Sequence, residues 1–228
     1  MPKKPGATPP PAQMVVVLCH DPEDGSAFIR TILDRTDGGL EGQILFGSQP
    51  VQLECLPTNP ETHAGWKARV NQADVLVLLI RHMDPVSLRA ARVRFGRLGD
   101  NRRAPIGVFL LRDPNEKEYK IGCSACGQKL WMSEEDKGKR GRCPNCRAAF
   151  EIPTPSDYLR ERLLLPDALP ILNVTIGNPA LGRGALVNLL SRTAVRFAPP
   201  DQAQKEAYLK QATVPIQVED GRLKVGAS

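Results

Sequence analysis

Four of the six cysteines constrain this chain more than any other feature. They stand as Cys123-x2-Cys126 and Cys143-x2-Cys146, with sixteen residues between the pairs. Two short turns of this kind can each aim two sulfurs at one ion, and four thiolates suit a tetrahedral Zn²⁺. The alternatives are a pair of disulfides or a redox Cys-x-x-Cys. Disulfides are rare outside exported proteins, and a redox pair needs no second pair. The amino terminus, MPKKPGATPPPAQ, has no apolar signal stretch, and apolar runs such as Val75–Ile80 fall far short of the roughly 20 residues of a spanning helix. The expectation is a soluble, cytoplasmic chain with no membrane association, in which Cys123, Cys126, Cys143 and Cys146 hold one structural zinc. Four sulfur ligands leave no open position for an activated water.

Around these ligands, residues 128–132 and 149–152 read as short strands flanking a polar tip. This stretch resembles the small zinc ribbons often attached to bacterial regulatory proteins. The likeness lies in Gly127 after the second cysteine, Gly138-Lys139 and Gly141-Arg142 before the third, and a closing Phe150-Glu151-Ile152-Pro153. It covers residues 119–153 and implies a fold rather than a ligand. Lys137, Lys139, Arg140, Arg142 and Arg147 could meet phosphates, with Trp131 as a stacking ring. Glu134, Glu135 and Asp136 share the same tip, and mixed signs favour a solvated hairpin. The formal charge of +6 permits an acidic partner, but aromatics at 5% leave few rings for a nucleic-acid platform.

Outside the ribbon, four apolar runs at 14–18, 75–80, 106–111 and 171–176 are too continuous for strands with one wet face. They read as parallel strands buried on both sides. Helical stretches at 26–34, 63–72, 86–98 and 180–195 alternate with them, as in an open α/β sheet. Residues 43–46 and 51–56 have no room for a helix between them and read as an antiparallel hairpin joined by Gly47-Ser48-Gln49-Pro50. In the third helix Leu88, Ala91, Phe95 and Leu98 form the stripe expected to face the sheet, leaving Arg89, Arg92, Arg94 and Arg97 around the outer wheel.

This order of elements resembles a Ras-like GTPase domain of the TRAFAC type. Ala73-Asp74-Val75-Leu76-Val77-Leu78-Leu79-Ile80 is similar to the fourth strand of that family, and Asp84-Pro85-Val86-Ser87-Leu88 to the start of the following helix. Ala104-Pro105-Ile106-Gly107-Val108-Phe109-Leu110-Leu111-Arg112-Asp113 is similar to its fifth strand running into the guanine-reading Asn-Lys-x-Asp. The resemblance implies a P-loop-type topology over residues 13–118 and 154–198, interrupted by the ribbon, with a flexible Pro-rich tail at 1–12 and a carboxyl-terminal extension at 199–228. The chemistry departs from the family. A phosphate loop needs GxxxxGK[ST], whose glycines let N–H groups wrap the phosphates, whose Lys neutralises them and whose hydroxyl holds Mg²⁺. The matching residues 20–27 put His20 at the first Gly and keep Gly25, but replace the Lys by Ser26 and the hydroxyl by Ala27. Asp21, Glu23 and Asp24 add negative charge where a triphosphate would bring its own. The Asp-x-x-Gly stretch is Cys55-Leu56-Pro57-Thr58-Asn59-Pro60, without a carboxylate, and the loop after the sixth strand is altered to Thr175-Ile176-Gly177-Asn178. The base-reading motif keeps only Asp113, which the resemblance assigns to guanine and which equally opens a turn with Pro114. GTP hydrolysis is not expected.

His20, His63, His82, Cys19 and Cys55 fall at the carboxyl ends of predicted strands or in the loops after them, the edge that hosts ligands in open α/β sheets. A second metal or thiol site is one reading; small buried cysteines and ordinary loop histidines are the other, and the favoured one. Residues 198–211 read as a short helix, and alternation over 215–225 around Asp220-Gly221 as a hairpin with Ile216, Val218, Leu223 and Val225 on one face. Two functions follow: a non-catalytic GTPase-like regulatory or adaptor module that binds a protein partner, or a zinc-ribbon protein that binds nucleic acid. A nucleotide switch with an altered loop is a third.

Overall fold

The computed structural model describes residues 11–47, 49–57, 63–81, 83, 85–98, 104–192, 216–219 and 222–225. The expectations for the tail through residue 10, for His82 and for a helix over 198–211 lie outside them, as does the side chain of His63.

The runs at 14–18, 75–80 and 106–111 form strands because nearly every residue has a dry partner on whichever side it points. The run at 171–176 instead falls at the sheet edge, where Asn173 is exposed and only Val174 is buried, so it is not the doubly buried strand its apolar residues imply. In β4 (Val75–Ile80) every residue is buried, Leu76, Leu78 and Ile80 toward one face and Val75, Val77 and Leu79 toward the other. β1 (Gln13–Cys19) divides in the same way. With β2 (Glu41–Phe46), β3 (Gln49–Pro57), β5 (Ile106–Arg112) and β10 (Ile171–Thr175) they make a six-stranded sheet of order β10-β5-β4-β1-β3-β2. All neighbours are parallel except β2, which runs antiparallel to β3. The hairpin turn is tighter than expected. Phe46 pairs with Gln49, so Pro50 is already in the strand, opposite Leu45 but before β3 meets β1 at Val51, where its missing N–H leaves no central ladder bond open.

α1 (Pro22–Leu33) and α5 (Pro179–Arg192) cover one face through Phe28, Ile29, Ile32, Leu186, Leu189 and Leu190. α3 (Pro85–Arg97) covers the other with Leu88 and Ala91 buried as expected, while Val70 of α2 (His63–Gln72) packs at the margin of the same core. Arg94 departs from the outer wheel: it is 8% exposed and lines a small cavity with Ala91 and Ile80. A nine-residue helix that the apolar pattern does not announce, α4 (Pro155–Leu163), joins this face through Leu159 and Leu163. It opens with Thr154, whose hydroxyl caps the Asp157 N–H at 3.1 Å.

Between β5 and α4 run two small hairpins, β6 (Glu118–Gly122) with β7 (Lys129–Ser133), and β8 (Arg140–Arg142) with β9 (Ala149–Glu151). Tyr119, Ile121 and Leu130 of the first hairpin, and Ile152 just after β9, belong to the same core as Leu88 and Leu159. The carboxyl-terminal strands β11 (Ile216–Glu219) and β12 (Arg222–Val225) pair in the register that the alternation implies, Ile216 with Val225 and Val218 with Leu223.

Candidate metal centre

The first turn of the ribbon follows β6 and the second follows β8, and the two have the same backbone plan. Gly127 N–H donates to the Cys123 carbonyl at 2.8 Å and Cys123 N–H to that of Gln128 at 2.9 Å; Arg147 to Cys143 at 2.9 Å and Cys143 to Ala148 at 3.0 Å repeat the pattern. Each turn closes through a left-handed residue, Gly127 at φ 74° and Arg147 at φ 60°. The plan turns both sulfurs of a pair to one side. Cys123 Sγ lies 3.6 Å from Cys146 Sγ and Cys126 Sγ 3.7 Å from Cys143 Sγ, and all four sulfurs lie within 4.8 Å of one another. An ion with sulfur ligands at about 2.3 Å would set tetrahedral edges of about 3.8 Å, so the donor set fits such an ion. All six cysteines are unbridged.

The thiols are electrostatically divided. The Gln128 N–H and then the Asn145 amide draw Cys126 down to about 6, and N–H groups of Cys126 and Ala125 lower Cys123. Cys146 moves the other way, to about 12: the Ala148 N–H pulls it down, but its bonds to Cys126, Cys123 and Cys143 push it up further. Four sulfurs so close cannot all ionise without a cation among them. Cys123 and Cys143 are buried at 6% and 1% exposure, while Cys126 and Cys146 face solvent.

The carboxyl edge of the sheet holds the other residues singled out in the sequence. Residues 20–27 are not a loop. Helix α1 already begins at Pro22, capped by Asp21, whose carboxylate accepts the Glu23 N–H at 2.9 Å. A capping Asp, a Pro at the first position and an acidic first turn are strong start signals, and they outweigh the start expected at Ser26. Gly25, Ser26 and Ala27 are therefore helical, and Ala27 is buried in the core. Gly25 packs against the two spare thiols: a Cβ there would stand 3.0 Å from Cys19 Sγ and from Cys55 Cβ. Burial, followed by the charge of Asp24, pushes Cys19 up to about 12, and burial likewise raises Cys55. His20 is exposed and borders a small cavity of about 30 Å³ shared with Asp24 and Arg94. Among the described residues, the group able to hold a metal is the four ribbon cysteines, and Cys19, Cys55 and His20 do not join one.

Asp113 starts a turn, with Glu116 N–H donating to its carbonyl at 3.1 Å. Its carboxylate is taken by Arg81, whose Nη2 lies 3.0 and 2.8 Å from the two oxygens, while Nη1 reaches Asp24 of α1 at 3.5 Å. Arg81, at the end of β4, thus ties the start of α1 to the end of β5. No local signal marks this contact, because the three residues meet only across the strand order. Beside it Arg112 pairs with Glu134 of the ribbon tip and donates to the Glu116 carbonyl at 2.6 Å. No helix among the described residues is long and apolar enough to cross a membrane. No family model and no curated protein matches the chain.

Proposed function

We propose that this chain is a non-catalytic, GTPase-like regulatory or adaptor module with a structural zinc ribbon, acting in the cytoplasm through a protein partner. The observation that carries the reading is the start of α1 at Pro22, with only His20 and Asp21 between it and the end of β1. Phosphate capture needs several N–H groups converging on an anion. Pro22 has none to give, Asp21 already holds that of Glu23, and Glu23 and Asp24 would repel a phosphate. The strand order and the single antiparallel β2 support a Ras-like topology, and the pairing of Asp113 with Arg81 takes up the carboxylate that would read guanine. Zinc is the ion assigned to the ribbon because it accepts four sulfurs in a closed tetrahedron; bound there, it supplies cross-linking and no chemistry on a substrate.

Titration with a fluorescent guanine nucleotide and Mg²⁺ tests this. No saturable binding is expected, and the double change Ser26→Lys with Ala27→Thr does not restore it, since α1 already begins a turn earlier, at Pro22, and Asp21, Glu23 and Asp24 keep its start acidic. Submicromolar, Mg²⁺-dependent binding by either chain would sink the reading. Elemental analysis of the purified chain is expected to give one zinc, lost in Cys143→Ser.

The alternative, nucleic-acid binding by the ribbon, draws support from Trp131, 61% exposed with Lys120 Nζ 4.2 Å from its ring centre. Lys139, however, is held by Asp136 at 2.8 Å, which leaves Lys137, Arg140, Arg142 and Arg147 as the phosphate contacts. Salt-sensitive mobility shifts abolished by changing Lys139, Arg140 and Arg142 together to Glu would favour this second reading; no shift at low salt would retire it.

A further inference from the structure

We propose that Tyr158 and Arg162 of α4 are positioning residues for the metal centre, gripping the residue before Cys123 so that metal binding and the packing of the α3–α4 face are coupled. The inference rests on the metal reading of the four cysteines. Tyr158 and Arg162 are four residues apart and share one side of α4, and the Arg162 guanidinium lies 5.3 Å from the Tyr158 ring centre. Both reach Gly122, which is buried at the end of β6. Gly122 N–H donates to the Tyr158 hydroxyl at 2.6 Å, and Arg162 Nη2 donates to the Gly122 carbonyl at 3.0 Å.

That carbonyl belongs to the peptide unit that carries Cys123. Its other side, the Cys123 N–H, is held by the Gln128 carbonyl at 2.9 Å, so the orientation of the peptide is set from α4 on one side and from the ribbon turn on the other. A second lacing reinforces the first: Tyr119, on β6, donates its hydroxyl to the Pro153 carbonyl at 2.5 Å, just before Thr154 caps α4. The adjoining side of α4 is fixed by Leu159 and Leu163 in the core that holds Tyr158 itself and Leu88 and Ala91 of α3. A rotation of Cys123 is therefore passed to α4, and a displacement of α4 moves a ligand.

Arg162 separates this role from mere packing. Its Nε is buried without a hydrogen-bond partner, so a methionine of similar length would relieve a desolvated donor if the side chain only filled space. A positioning role demands the reverse.

The test uses the full chain and zinc alone. Competition with a colorimetric chelator is expected to show zinc bound about 10–100-fold more weakly in Tyr158→Phe and in Arg162→Met, the range found when outer-shell partners of metal ligands are removed. Arg162→Lys, which keeps a donor, recovers part of the loss. In the wild type, hydrogen exchange after zinc removal is expected to rise in α3 and α4 and to stay unchanged in α1 and α5 on the other face. Variants that bind zinc as tightly as the wild type, or an α4 whose protection ignores zinc, overturn the coupling alone. A wild-type chain that takes up no zinc overturns the metal reading and the coupling with it. If Arg162→Met does not fold, the wild-type exchange experiment and Tyr158→Phe, which loses one oxygen, decide the matter.

Discussion

Gly25 and Gly96 are both helical glycines, and their surroundings give their replacement opposite signs. A Cβ at Gly25 would stand 3.0 Å from Cys19 Sγ, Cys55 Cβ and Leu40 Cδ2 at once, whereas one at Gly96 meets nothing within 4 Å. Gly25→Ala is expected to cost about 1–3 kcal/mol through overpacking. Gly96→Ala should gain about 0.5–1 kcal/mol by restricting the unfolded chain and favouring the helix. Denaturant titration distinguishes the two; a neutral Gly25→Ala would mean that the thiol cluster has slack. The thiols carry a pH consequence. Cys19 is raised from 9.0 to about 12, so the fold holds the proton more tightly than the unfolded chain does. Its stability contribution is whole below the unfolded value and is lost as pH climbs through the folded one. At about pH 8, where an ordinary thiol is partly ionised, iodoacetamide is expected to leave Cys19 and Cys55 unmodified in the native chain and to label both in denaturant. Mass spectrometry counts the adducts, and native labelling at the denatured rate would contradict the burial.

At the scale of elements, the two metal-binding turns repeat one backbone plan with different residues at the left-handed position. Gly127 adopts it at no steric cost, while Arg147 at φ 60° carries the Cβ clash that disfavours this region. Gly127→Ala is expected to lower stability by about 1 kcal/mol. Arg147→Gly should be neutral or stabilising by less than about 1 kcal/mol, the relief being offset by a more flexible unfolded chain. Thermal unfolding of the zinc-loaded variants checks the pair, and a destabilising Arg147→Gly would show that the arginine makes a contact worth more than its strain. Helix α3 illustrates how far a periodic pattern reaches. The stripe of Leu88 and Ala91 is buried as the spacing implies, yet Arg94, one turn on from Ala91, is buried too. Burial lowers its guanidinium below the usual value, with Cys19 acting in the opposite direction. A helical wheel orders residues around one axis; it does not say how wide the covering surface is.

Among the described residues the six-stranded sheet separates two cores, and the ribbon belongs to one of them. Phe28 packs against Phe109 with ring centres 5.7 Å apart in the core beneath α1 and α5. Phe28→Ala should cost about 3–5 kcal/mol there, while the folded fraction keeps its full zinc content, because the cysteines lie across the sheet. Loss of zinc in that variant would show that the two faces do not respond separately. Much of this arrangement was legible in the chain itself. Runs such as Val75–Ile80 allow only a strand dry on both faces, and Cys-x2-Cys pairs at this spacing allow few structures other than facing turns, because both signals are local and each carries its own geometry. The short linker between β2 and β3 likewise permits only antiparallel pairing. The start of α1 is also written locally, in Asp21, Pro22 and Glu23, within the stretch that matches a phosphate loop in position. Other features existed in no single stretch. Arg81 finds Asp24 and Asp113 because β4 lies between β1 and β5. Tyr158 and Arg162 reach Gly122 across 36 and 40 residues. Side-chain type and spacing determine which elements form, since those depend on a few neighbouring residues; which polar groups meet depends on how the elements stack, and that is decided only when the sheet and its two cores close together.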